Sequence, residues 1–500
     1  MPRHLHGPAM KALAPAIAAV LLAACAVGPD YVRPSMPTPE RFAQSDDAPD
    51  APRMAPAAAP DAEFWRAFGD PLLDRLVDDA LAANHDLRIA LARYESANAL
   101  LRGARFDALP TVTAHAEASD SRLSAGQAPG VARDDRDGEG YAARADASWE
   151  LDVFGRVRRG IEARRADAAA GAADLAALQV AIVGEVARGY FDLRGLQERL
   201  RIARENAANQ RETLRLVQAR YDAGRDAGFD ASRARAQLEA TLARVPLLAA
   251  DVDVAMHRLA VLTGRPPEAL LAELEAPAPL PAMPPALDPG TPGELLRRRP
   301  DVAGAEMRLH AATARIGVAT ADLFPRFTLG GLIGSQAVDA GALFERDSET
   351  RLAVLGIDWS FLDIGRVRAR TAAAHADADA ELARYQQSVL LALEDTENAL
   401  VRYGRAREAD AHLAQAAADS TRAAGLARIR YDAGATALFE VLDAERTRLQ
   451  AQDASAEART RSAEGLVALY KAMAGGWPAK LPVEARIATR VGDATPTKDQ

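Results

Sequence analysis

Trp149-Glu150-Leu151-Asp152-Val153-Phe154-Gly155-Arg156-Val157-Arg158 opens a stretch that runs without proline to Tyr221-Asp222-Ala223-Gly224. The same signals return as Trp359-Ser360-Phe361-Leu362-Asp363-Ile364-Gly365-Arg366-Val367-Arg368 and end at Tyr431-Asp432-Ala433-Gly434. Residue 149 answers to 359 and 224 to 434, a constant offset of 210, so no net insertion separates the copies. Self-similarity over such a span means one structural unit used twice. From Arg156 to Tyr221 the pattern predicts a helix of about 66 residues, about 100 Å at 1.5 Å per residue, an element that a compact globular domain does not need. In the second copy Leu382, Val389, Thr396 and Tyr403 recur every seven residues, with Gln386, Leu393 and Leu400 four further on. In the first, Leu175, Ile182, Val186, Leu193 and Leu200 do much the same. A sustained seven-residue period predicts a supercoiled seam with neighbouring helices, and the alanines beside it allow close approach of the axes.

Outward from the long helices, each copy reads the same way. Upstream of the first, Thr111 to Ala116 alternates with period two, a polar loop with glycines and aspartates follows, and alternation resumes from Tyr141 to Leu151: a hairpin over about 111–152. Its counterpart spans about 326–362, with strands at Phe327–Ser335 and Leu352–Phe361. A helical pattern from Pro71, placed at the first helical position, to about Phe106 precedes the first hairpin, and one from Glu294 or Asp301 to Leu323 precedes the second. After each Tyr-Asp-Ala-Gly a shorter helix follows, 230–262 with a kink at Pro246 and 438–473; the second long helix is expected over 366–430. The repeats therefore occupy 71–265 and 301–476, joined by 266–300, where ten prolines fall between Pro266 and Pro300 inclusive.

The N-terminus carries an export signal, residues 1–24: Arg3 and Lys11 precede an apolar run from Ala12 to Ala24, closed by Leu22-Ala23-Ala24-Cys25. That run is too short to span a bilayer, which takes roughly 20 residues. Cys25 is the one cysteine in the chain, so no intramolecular disulfide can form. Residues 25–70 read as an extended proline-, alanine- and acid-rich segment, and 477–500 as a patternless tail. A formal net charge of −9 argues against a nucleic-acid partner. No metal-ligand cluster, cofactor loop or nucleophile motif appears: His115-Ala116-Glu117 lacks the Pro-Cys-x-x-Cys of zinc deaminases, and Gly330, Gly331 and Gly334 lack a phosphate-binding lysine. The expectation is no enzyme, no metal and no cofactor.

Two isolated hairpins leave unpaired strand edges. In a bilayer the one sheet that satisfies its backbone is a closed barrel, and membrane barrels begin at about eight strands. Several copies must then share one barrel, and three copies of four strands give twelve.

The residues also resemble a known family. Leu296-Arg297-Arg298-Arg299-Pro300-Asp301-Val302, with Ala305 and Glu306, followed by Ala314-Arg315-Ile316-Gly317-Val318-Ala319, Ala321 and Phe324-Pro325, is similar to the signature of the TolC-like outer membrane efflux proteins, in the OprM/NodT-like lipoprotein branch that serves drug exporters. Cys25-Ala26-Val27-Gly28-Pro29-Asp30-Tyr31, Leu151 to Arg156 and Leu469 to Trp477 match in the same order, so the resemblance spans nearly the whole mature chain. It implies an α+β membrane protein: a homotrimer with a 12-stranded β-barrel, four strands per chain, continued by a long α-helical barrel with a mixed equatorial collar. It implies a passive exit duct that exports drugs or other small amphipathic molecules. The partners would be a periplasmic adaptor (membrane fusion) protein, a resistance-nodulation-division type pump of the inner membrane and outer membrane lipid.

Residue by residue, the resemblance implies acylation of Cys25, with Ala26 behind it directing the protein to the outer membrane. It places Gly224 and Gly434 in adaptor-docking turns at the periplasmic tip. Phe439, Glu440 and Asp443 match the residues that line the narrowest part of the entrance, and two acids three apart on one helix share a face. The sequence departs from the family in the larger Phe439 and in Glu440. Tyr221, Asp230 and Tyr431 match contacts that tie helices together in the closed state; the alternative is a tyrosine packed beside its own turn. Competing readings are the same fold serving metal-ion efflux or type I protein secretion, and a structural periplasmic coiled-coil lipoprotein, which would leave the paired hairpins unexplained.

Overall fold

The computed structural model describes residues 26–43, 63–223, 228–284 and 290–473. The signal peptide 1–24, Cys25, Gly224 and the tail 477–500 lie outside the described residues. Its strands are β1 (Thr111–Arg122), β2 (Asp137–Leu151), β3 (Arg326–Ala337) and β4 (Glu349–Asp358). Its principal helices are α1 (Pro71–Ala83), α2 (His85–Phe106), α3 (Arg156–Asp222), α4 (Gly228–Leu262), α5 (Pro292–Arg298), α6 (Pro300–Ala321), α7 (Ile364–Asp432) and α8 (Leu438–Ala472). Two compact units form, and each draws on both repeats: one takes residues up to Ser35, Arg93–Ala172 and Gly304–Gln387, the other Met36–Ala92, Ala173–Ala303 and Ser388 onward.

The first unit holds one antiparallel sheet in the order β1-β2-β3-β4. Thr111 pairs with Ser148, Leu151 with Phe327 and Arg326 with Asp358, so the two hairpins join through β2 and β3 while β1 and β4 form the edges. The last strand is Glu349–Asp358 rather than Leu352–Phe361, and Phe361–Asp363 forms a 3₁₀ turn. Pairing of Asp358 with the first residue of β3 fixes where β4 stops. Just beyond, the Trp359 indole N–H donates to the Leu323 carbonyl at 3.1 Å, as the Trp149 indole donates to Ala108 at 3.0 Å in the other copy. The helices before the hairpins end at Phe106 and Ala321, so the offset there is 215 and not 210; the first hairpin is five residues longer.

The N-terminal segment is strapped to this unit. Gly28 has φ +89°, and a Cβ on it would sit 2.5 Å from Gly317 Cα; a Cβ on Gly155 (φ +81°) would sit 2.7 Å from Ala26 Cα. Only glycine allows backbone to approach this closely at such φ values. The Val27 N–H donates to the Phe154 carbonyl at 3.1 Å, Tyr31 stacks on His310 at 4.3 Å, and Arg33 pairs with Glu306 at 2.9 Å. The mostly buried Arg159 guanidinium reaches Asp30 and Glu162 at 2.5 and 2.8 Å.

The second unit contains the largest apolar core. Phe64, Trp65 and Phe68 of a 3₁₀ turn pack with Leu73, Tyr190, Phe191, Leu259, Leu270, Leu295 and Tyr470. Full burial of each such side chain contributes about 1.5–3 kcal/mol. The helical pattern from Pro71 is not one helix: Asn84 (ψ 131°) breaks it, because its Oδ1 accepts the N–H groups of Asp86 and Leu87 while its Nδ2 donates to the Leu262 carbonyl at 2.9 Å. The helix expected from Glu294 likewise divides at Arg299 (ψ 119°), since the residue before proline is driven out of the helical region. The Arg299 guanidinium donates to Asp301 (2.8 and 3.0 Å), to Asp395 (3.0 Å) and to the Ala472 carbonyl (3.0 Å), which joins α6, α7 and the end of α8. The helical hydrogen-bond pattern of α4 continues on both sides of Pro246.

Along α3, Leu175, Ile182, Val186, Leu193 and Leu200 are all buried. On α7 the buried row is Tyr385, Val389, Ala392, Thr396, Ala399 and Tyr403, and the expected Gln386, Leu393 and Leu400 are exposed or half-buried. Leu393 and Leu400 pack against the apolar core from beside this row, and small Ala392 and Ala399 let the helix axes approach.

Candidate functional site: the turn after the second long helix

The Tyr-Asp-Ala-Gly of the second copy is a helix stop with a defined geometry. The Gly434 N–H donates to Tyr431 O at 2.9 Å and the Ala435 N–H to Arg430 O at 2.8 Å, while Gly434 takes φ +71°. This is the Schellman pattern, whose left-handed position glycine fills without steric penalty. Four residues on, α8 begins at Leu438, and its first two turns divide cleanly: Leu438, Val441 and Leu442 are buried with Val217, Ala231 and Ala234, whereas Phe439 and Glu440 are exposed and Asp443 is half-buried.

The three residues singled out for the entrance therefore share the face of α8 turned away from its core. Asp443 pairs with Arg446 one turn on, at 2.6 Å. Phe439 is half exposed, and the Arg233 guanidinium lies 4.5 Å from its ring centroid and 5.6 Å from that of Phe229. Residues that distinguish the first copy at this point thus stack on the residue that distinguishes the second. Sequence spacing could not reveal this pairing, because 206 positions separate the two partners.

The tyrosines behave differently from each other. Tyr431 accepts a hydrogen bond from Arg220 at 2.6 Å, and the guanidinium also lies 4.7 Å over its ring, a contact from α7 to α3. The Tyr221 ring packs beside its own turn, where a Cβ on Gly228 would come within 3.3 Å of it. Asp230 stands in the first turn of α4, where a carboxylate meets the positive helix end.

Behind the apolar cluster a buried polar layer joins the same helices. Arg428 of α7 donates to Thr213 of α3 at 3.0 Å, Arg448 of α8 donates to Asn206 of α3 at 2.9 Å, and Asn206 donates to Gln452 at 3.2 Å. Glu445 is buried in this layer; desolvation pushes its carboxyl above the usual carboxylate range, against the pull of Arg448, Arg428 and Thr213. Further along, Asp453 accepts from Arg199 at 2.8 Å and from Arg244. Burial opposes its charge, but those guanidinium bonds win and hold it below the ordinary carboxylate value. The lone acidic periodicity of α8 gave no sign that Glu445 turns inward while Glu440 and Asp443 turn outward.

Two long helices, the second closed by the glycine turn at Gly434, in a chain that also carries a sheet with open edges, define a class of membrane duct. The family model described as outer membrane efflux protein matches residues 76–265 and 291–475, and the chain belongs to this family. Similar proteins include the pyoverdine export outer membrane protein OpmQ of Pseudomonas putida, 34% identical over 90% of this chain and 96% of that protein, and the outer membrane protein OprJ of Pseudomonas aeruginosa, 32% identical over 92% and 94%. The solved structure of the outer-membrane channel OprN superposes with a TM-score of 0.84 at 43% identity, covering 91% of this chain and all of that one. The open state of the Neisseria gonorrhoeae MtrE outer membrane channel gives 0.77 at 28% identity, covering 92% and 100%.

The fold is accordingly a trimeric 12-stranded β-barrel, four strands per chain, continued by a long α-helical barrel with a mixed equatorial collar. The protein is the outer-membrane exit duct of an efflux pump. Closure of three sheets through β1 and β4 removes the edges that one chain leaves open.

Proposed function

We propose that the duct passively exports drugs or other small amphipathic molecules, and that it opens at its periplasmic tip when an adaptor and a resistance-nodulation-division type pump dock. The observation that carries this reading is the outward presentation of Phe439, Glu440 and Asp443 on one face of α8, immediately after a rigid glycine turn. Three copies would stack acidic rings beside an aromatic ring at the entrance. Tyr431, held by Arg220, and the Arg233–Phe439 stack would fix the closed state, with Tyr221 and Asp230 supporting the first turn. Gly224 and Gly434 would mark the docking turns. Relatives named for toluene and solvent efflux and for pyoverdine export favour small-molecule cargo.

In planar bilayers the purified trimer should give discrete conductance steps. Replacing Glu440 and Asp443 together by alanine should raise the conductance and weaken block by divalent cations; unchanged values would remove these residues from the gate. Acylation of Cys25 would anchor the protein in the outer membrane, since each buried CH₂ contributes about 0.8 kcal/mol. The glycine-built strap at Ala26–Arg33 supports that reading by holding the following residues against the unit that carries the barrel strands. Cys25→Ser should lose incorporation of labelled palmitate, and continued labelling would refute the site.

A further inference from the structure

One face of the four-stranded sheet carries charged residues in mid-strand. Register settles which side chains share a face: Thr113 stands opposite Asp146, His115 opposite Arg144 and Glu117 opposite Ala142, and side chains alternate between faces. Through β3 and β4 the same face carries Leu332, Gly334, Thr350 and Leu352. On the other face charged residues occur only within the last three positions beside each hairpin loop: Asp120, Arg122, Asp137, Glu139, Glu349 and Arg351. Between those ends that face carries alanine, leucine, isoleucine, phenylalanine and tryptophan, as a lipid-facing surface requires. The face with mid-strand charges is therefore the lumen.

Ionisable groups at membrane depth are rare and mark pathways. Here they are grouped. Asp146 Oδ2 lies 3.2 Å from Arg144 Nε and 3.7 Å from His115 Nε2, and all three side chains remain between 32 and 56% exposed in the chain, presented rather than buried. Gly334 stands opposite Arg144, where a Cβ would come 2.6 Å from Arg144 Cβ, so the arginine keeps space beside it. Two carboxylates, Glu117 and Asp146, against the one guanidinium of Arg144 leave these three groups a net −1 per chain, repeated around the three-fold axis.

We propose that His115, Glu117, Arg144 and Asp146 form a selectivity station in the bore that favours cationic solutes, and cationic amphipathic cargo, over anionic ones. This rests on the exit-duct reading and adds to it a determinant remote from the tip. Rings of charged side chains set the preference of pores for ions of one sign. Reversal potentials should be measured in planar bilayers across a KCl gradient, with Glu440→Gln and Asp443→Asn present in every protein so that the entrance adds nothing to the comparison. Arg144→Gln should move the potential toward stronger cation selectivity and Glu117→Gln in the opposite direction. Equal potentials, or shifts in one direction for both, would overturn the station. Absence of any conductance in the parent trimer would instead overturn the exit-duct reading. As a readout independent of conductance, cysteine placed at His115 should react with a membrane-impermeant thiol reagent in reconstituted trimers and cysteine at Ile333 should not; the reverse pattern would also overturn the proposal.

Discussion

Gly317 and Gly28 show how much one missing methyl group decides. A Cβ on Gly317 would lie 2.8 Å from Arg159 Cγ and 3.0 Å from the Val27 carbonyl. Gly317→Val should therefore push the N-terminal strap off α6, and overpacking of this kind costs about 1–3 kcal/mol. Urea or thermal unfolding of the trimer should show the loss, with Gly365→Ala, where no atom lies within 4 Å of the added Cβ, as the near-neutral control. At the proposed entrance Arg233 lies 4.5 Å from the Phe439 ring centroid. A cation over an exposed aromatic face contributes about 0.5–1 kcal/mol, so, on the proposed gate, Arg233→Ala should make its closed state less persistent. Single-channel records should show more frequent openings, and Arg233→Lys should retain part of the parent behaviour.

Among the elements, α8 sets burial against charge. Its inward face places Glu445 against Thr213 of α3, Arg428 of α7 and its own Arg448. Because burial raises its folded pKa above the unfolded value, the native state keeps this proton to higher pH. The stabilising contribution is complete below the unfolded carboxylate pKa, about 4.3, and is lost as pH rises through the folded pKa. Glu445→Gln should flatten this part of the stability profile and raise the melting temperature of the trimer at neutral pH; an unchanged slope would show that the layer is solvated. Arg299 makes the complementary case, since its fork joins three helices through charge-assisted bonds. Hydrogen bonds to charged groups are worth about 1.5–3 kcal/mol, and lysine cannot reproduce the fork. Arg299→Lys should lose about 2 kcal/mol in denaturant unfolding, on the same scale.

For the whole molecule, one chain leaves work to its neighbours. Leu390, Leu391, Leu426 and Ile429 of α7 are between 51 and 65% exposed in the single chain, as are the edges β1 and β4 in hydrogen-bonding terms. A trimeric wall pairs the strand edges, and burial of the exposed α7 side chains against a neighbouring chain is the expected accompaniment. Leu390→Lys with Leu391→Lys should cost trimer yield, read by cross-linking or native electrophoresis, while the apolar core around Trp65 and Tyr190, to which neither residue contributes, keeps its packing.

Sequence alone determined the repeats, the long helices, the hairpins and the glycine stop at Gly434, because these follow from local chemistry. Periods of seven and two, prolines at the joints and a φ that only glycine adopts easily are written into neighbouring residues. It also brought Phe439, Glu440 and Asp443 forward, since three residues within two turns of helix need no tertiary knowledge to share a face. Tertiary structure alone decided what lies opposite them. The Arg233–Phe439 stack, the Arg220–Tyr431 contact and the inward turn of Glu445 join residues from different helices. On α7 the expected Val389, Thr396 and Tyr403 are buried, and only packing decided that Ala392 and Ala399 join them fully while Leu393 and Leu400 lie half-buried at the flank: the heptad gives a stripe's period, and the neighbour packed against it sets the stripe's width.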